Sequence, residues 1–184
     1  FRERYLYGAC EIAQIDDCVE RWHKAQPDGV SLQAYLGLPD EEYHAFLQPG
    51  GNARLAELLN AQRKQLGCRI YQLEFTDTEK TKPFAFSGID ALLKAGFQQP
   101  PASEYRLVHD ETLYCPKDEP DLAVLERVFD RYNGKLPADY PGRCIAPSDV
   151  LELYDAEKRR YYYRDMKQFV PVAFSPLLAR PIQK

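Results

Sequence analysis

The chain has 184 residues, 45% of them hydrophobic and 28% charged, with a formal net charge of −4. That length holds one large or two small domains, each able to bury a core without covalent staples. The mildly acidic balance gives no general electrostatic reason to expect a phosphate backbone as ligand.

From the N-terminus the periodicity is helical through residue 67. In the stretch beginning at Cys10, Ile12, Ile15, Val19 and Trp22 recur at spacings of three and four, which predicts a helix with Trp22 as a core anchor. A break at Pro27 to Val30 ends it, and Ser31 is placed to cap the next helix. Residues 31–47 have the outline of a helix-turn-helix, with Gly37 as the turn and Pro39 in the first turn of the second helix. A recognition helix there would present Asp40, Glu41 and Glu42 to base edges, and no Lys or Arg occurs from Val30 to Gly51. This chemistry argues against DNA as its target. The triplet reads as first-turn residues that suit the helix dipole, or as an acidic interaction surface. A further helix runs from Asn52 to a stop at Gly67.

From Cys68 the period changes to two. Residues 68–75 alternate as a strand, and residues 86–97 read as a helix with Ser87 and Asp90 as a capping pair and Gly96 closing it. Glu104 to Tyr114 is strand-like. A second helix follows, with Pro120 in its first turn and Leu122, Leu125, Val128, Phe129 and Tyr132 on one side. The remainder reads as two or three short antiparallel strands. The expected fold is α+β: a small helical unit, residues 1–67, packed on an α+β domain, residues 68–174, with an extended tail at 175–184. No linker composition separates the two parts.

Motifs for chemistry are absent. Five scattered cysteines, with no C-x-x-C spacing, suit reduced thiols in a cytoplasm. His23, His44 and His109 each lack a second metal ligand at helical spacing, so no metal and no cofactor is expected. His109, Asp110 and Glu111 cannot converge, because neighbours on a strand point to opposite faces. No phosphate-binding glycine loop occurs, no catalytic residue is assigned, and Ser148 with Asp149 reads as a turn-setting pair. No apolar run approaches the roughly 20 residues that span a bilayer, and no signal segment is visible. A chain that starts at Phe1 is expected to be processed or cut from a longer one.

The stretch from Tyr154 to Met166 holds three consecutive tyrosines among arginines. As a hairpin, it puts Tyr161 and Tyr163 on one face and Tyr162 with Arg160 and Arg164 on the other, so the rings form no continuous stack. The candidate binding surface is Arg159, Arg160, Tyr162 and Arg164 on the exposed side of this hairpin.

The order of "RIYQLE", "FAFSGIDALLKAGF", "EYRLVHDETL", "LERVFDRYN" and the run from Pro137 to Val172 resembles the YodL-like domains carried by integrative conjugative elements and plasmids of Firmicutes. Its most specific part runs from Gly142 through Ser148, Asp149 and Val150 to Tyr162 and Phe169. The segment from Ile15 to Tyr43 is similar to one found beside such domains. The resemblance implies genomic company and no catalytic residues. The expectation is a non-enzymatic accessory or adaptor protein acting through protein contacts, the alternative a nucleic-acid-binding or anti-restriction factor.

Overall fold

The computed structural model describes residues 1–25 and 28–182. The chain divides into two compact units, residues 1–65 with 113–119 and residues 66–112 with 120–184. The fold is α+β. Pro27, where the sequence places the first helix break, lies outside the described residues.

Among the described residues the first unit holds five helices: α1 (Arg2–Leu6), α2 (Gln14–Ala25), α3 (Leu32–Leu36), α4 (Asp40–Phe46) and α5 (Gly51–Gln62). Their apolar faces meet in one core containing Leu6, Ile15, Leu36, Leu55 and Leu59. Ser31 caps α3 as expected, its Oγ accepting from the Ala34 N–H at 3.2 Å, and Gly37 ends that helix in the left-handed region at φ 71°. Trp22 departs from expectation: it is only partly buried, and its indole N–H donates to the Val30 carbonyl at 3.0 Å. Cys18, one turn earlier, fills the core in its place. A large ring at the end of a short amphipathic helix serves better as a tether for the following loop.

The helix expected to stop at Gly67 ends earlier, at Gln62, and strand β1 (Arg63–Leu73) begins at once. The rest of the chain supplies α6 (Thr78–Thr81), α7 (Ile89–Lys94), β2 (Tyr105–Pro116), α8 (Asp121–Tyr132), β3 (Val150–Tyr154), β4 (Arg159–Arg164) and β5 (Phe169–Val172). The five strands form one sheet in the order β2-β1-β3-β4-β5, with the last three pairings antiparallel. One face carries Tyr71, Leu73, Val150 and Tyr163 against Phe84, Leu92 and Phe174. The other faces α8, which buries Val124, Leu125, Val128 and Tyr132.

Helix α7 is capped from a distance. The predicted Ser87 to Asp90 pair does not form; Asp165, past the end of β4, accepts from the Ile89 N–H at 2.9 Å. The free edge of β2 is covered by the tail, where Leu107 N–H donates to Arg180 O at 2.9 Å and Arg180 N–H to Tyr105 O at 2.8 Å. Such cover protects an edge that would otherwise pair with another chain. The tail expected to be extended therefore includes a 3₁₀ turn at Pro176–Leu178 and this bridge.

Candidate functional site

The hairpin alternates as predicted, but its second face is not exposed. Helix α8 lies over it: Tyr162 Oη donates to Asp121 at 2.6 Å, and Arg160 pairs with Asp121 at 2.6 Å and Asp155 at 3.4 Å. Arg164, 7% exposed, pairs with Glu126 at 3.3 Å and stands 3.9 Å from the Phe129 ring centre. Burial, followed by the Asp121 carboxylate, pushes the Tyr162 hydroxyl up to about 12. The surface expected at Arg160, Tyr162 and Arg164 is thus an internal seam, because α8 meets these alternate residues of β4 through Asp121, Glu126 and Phe129. Sequence alternation separates faces without saying which neighbour covers each.

Arg159 belongs to the opposite face and is half exposed. Its Nη1 donates at 2.8 Å to Glu152, whose fully buried carboxylate also receives Tyr71 Oη at 2.8 Å and Tyr161 Oη at 3.3 Å. Arg69 stands 3.7 Å away and bonds Asp110 at 2.8 Å, which in turn accepts from Tyr154 Oη at 2.7 Å. The charges and hydroxyls satisfy one another, as a buried carboxylate requires.

The acidic triplet is not one surface either. Asp40 and Glu41 are exposed, whereas Glu42 is 4% exposed, held by Arg2 at 2.8 Å and by Gln62 at 2.8 Å. It ties α1, α4 and α5 together. The triad at residues 109–111 splits as its strand geometry demands: His109 Nε2 lies 2.9 Å from Tyr132 Oη, Glu111 takes Arg131 at 2.9 Å, and Asp110 faces Arg69. Burial pushes the Cys68 thiol far up, so it stays protonated. Among the described residues no group of three or more His, Cys, Asp or Glu could hold a metal ion, and no helix is long and apolar enough to cross a membrane.

A different surface is built by the loop at residues 142–149. Fully buried Asp149 accepts from Arg143 Nη1 and Nη2 at 2.6 Å each and from the Ala146 N–H at 3.0 Å. This fastens the loop, as the turn-setting reading of Ser148 and Asp149 anticipates. Ser148 sits at φ 79° and Phe86 at φ 53°, a region that L-residues avoid. The two are bonded: Ser148 Oγ accepts from the Phe86 N–H at 3.2 Å, while Tyr105 Oη donates to Ser148 O at 2.8 Å. Holding two such residues costs on the order of 1–3 kcal/mol each.

The result is an aromatic ring kept in water. Phe86 is 49% exposed and Phe75 45% exposed, with ring centres 5.2 Å apart. The Arg143 guanidinium lies 5.1 Å from the Phe86 ring centre. Phe75 borders two grooves: one of about 460 Å³ with Thr78, Glu79, Lys82 and Phe86, the other of about 360 Å³ with Arg106, Gly142 and Arg143. An apolar pair with a polar rim suits a ligand that inserts an apolar group, and offers no assembled nucleophile or general base. The sequence reading missed Phe75, Phe86 and Arg143. The segment "FAFSG" offered one signal, a phenylalanine just before a Ser-Gly turn.

The fold is that of an α+β domain with an exposed aromatic pair. The family model of the YodL-like domain matches residues 67–174, and the chain belongs to that family. The match includes Phe75, Phe86, Arg143, Ser148 and Asp149. Nothing matches among curated proteins, nor among solved structures.

Proposed function

We propose that the chain is a non-enzymatic accessory or adaptor protein of a mobile genetic element, of the kind found in conjugative elements and plasmids of Firmicutes, and that it acts through protein contacts in the cytoplasm. The observation that supports this reading is the pair Phe75 and Phe86, both nearly half exposed and in ring contact, with Phe86 in the left-handed backbone region. Exposed rings beside a fixed guanidinium are typical of interface anchors. The N-terminal helical segment belongs to the same proposal, as a companion module of such domains.

Nucleic acid fits this surface less well. Its arginines are already neutralised, Arg143 by Asp149 and Arg106 by Glu74, so few charges remain to displace counterions from a phosphate backbone. Affinity capture with the proteins encoded by the same element tests the reading. The whole chain should retain a partner that the Phe75→Ala variant loses. Capture of none of them, together with turnover of a substrate, would overturn it.

A further inference from the structure

We propose that the notch between the C-terminal tail and the sheet face around Arg69 and Arg159 binds a small organic anion, a carboxylate or phosphate group carried on an apolar body. The notch holds about 360 Å³, enough for a ring-sized molecule. Arg69 and Tyr71 of β1 form its floor, and the 3₁₀ turn and bridge of the tail form its outer wall. Three arginines line it, Arg69, Arg159 and Arg180, and none of the described residues in the lining is acidic. Leu107, Pro176, Leu177 and Ala179 supply the apolar side.

Each of these guanidiniums has a partner, yet none is saturated. Arg159 reaches Glu152 through Nη1 at 2.8 Å, and Arg69 reaches Asp110 through Nε at 2.8 Å. Arg180 reaches Glu74 through Nη1 at 2.7 Å and Thr76 through Nη2 at 3.1 Å. Arg143, by contrast, commits both Nη groups to Asp149. A guanidinium carries five N–H donors, so the notch arginines keep some for a second acceptor. The charge balance points the same way. Glu74 serves both Arg180 and Arg106, so Arg69, Arg159, Arg180 and Arg106 stand against only Glu152, Asp110 and Glu74. These carboxylates lie outside the lining, and Glu152 is fully buried. An incoming group therefore meets guanidinium. A concave surface lined by one sign of charge concentrates the opposite sign, and planar forks match carboxylate and phosphate geometry.

The test is titration of the intact, isotope-labelled chain with benzoate, phenyl phosphate and neutral benzyl alcohol, read as amide and guanidinium NMR shifts. At least one anion should give saturable shifts at Arg69, Arg159, Arg180 and Leu177, and the tighter of the two identifies the group the notch takes. Benzyl alcohol should give none. Arg159→Gln and Arg180→Gln should each weaken the tighter anion at least about tenfold, while Lys82→Gln, outside the notch, should bind like wild type. Arg180 lies apart from the Glu152 network and its backbone still holds the tail to β2, so Arg180→Gln decides the matter even where Arg159→Gln fails to fold. Equal shifts with benzyl alcohol, unchanged affinity in Arg180→Gln, or no saturable shift with either anion overturns the proposal. The adaptor reading stands or falls separately, by affinity capture.

Discussion

Tyr162 shows how one side chain changes meaning between chain and fold. In the sequence it is the middle of three rings among arginines; in the structure it is 8% exposed and donates to Asp121. Its hydroxyl, normally near 10, is pushed up to about 12, chiefly by burial. The folded state therefore holds a proton that the unfolded chain releases between these two values. The stabilisation is complete below pH 10 and is lost as pH rises toward 12. Denaturation midpoints measured across that range should fall for wild type and fall less for Tyr162→Phe; equal slopes would refute the assignment. Arg164 and Glu42 carry the same lesson. Each is a charged residue that reads as surface and is found buried with a partner, because a single sequence does not reveal which exposed-looking position a later element will cover.

At the scale of elements, period-two alternation was legible and the joints between elements were not. The hairpin faces, the strand from residue 104 and the helix after Pro120 all follow from hydrophobic spacing, which each segment carries locally. The end of α5 did not follow, since Gly67 looked like a helix terminator. Its actual role is close approach: a Cβ there would clash with the outer carbons of the Tyr154 ring. Arg69 and Arg159 flank the same ring at 4.6 and 5.4 Å. Gly67→Ala must therefore displace Tyr154 and its bond to Asp110, at about 1–3 kcal/mol. Urea denaturation of Gly67→Ala, Tyr154→Ala and the double variant should show strong non-additivity. Independent, additive losses would mean the ring does not depend on the glycine. The cap of α7 by Asp165 is the same kind of joint, made across a sequence gap no local pattern spans.

For the whole molecule, the seam between α8 and the sheet decides what the arginine-rich hairpin is for. Arg164→Ala should cost about 1–3 kcal/mol through the lost charged hydrogen bond and ring contacts, with no change in oligonucleotide affinity at low salt. A gel-shift difference without a stability difference would restore the hairpin as a nucleic-acid surface. The sequence by itself determined the α+β class, the family, the main helices and strands and the separation of the three tyrosines, because those depend on local periodicity and motif order. Only the tertiary structure decided which faces are covered, that Glu152 sits at the centre of a network of tyrosines and arginines, and that Phe86 stands in solvent. These last depend on contacts between residues as much as 81 positions apart, such as Tyr71 with Glu152. No spacing rule encodes such a pairing; it exists once the sheet has brought the strands together.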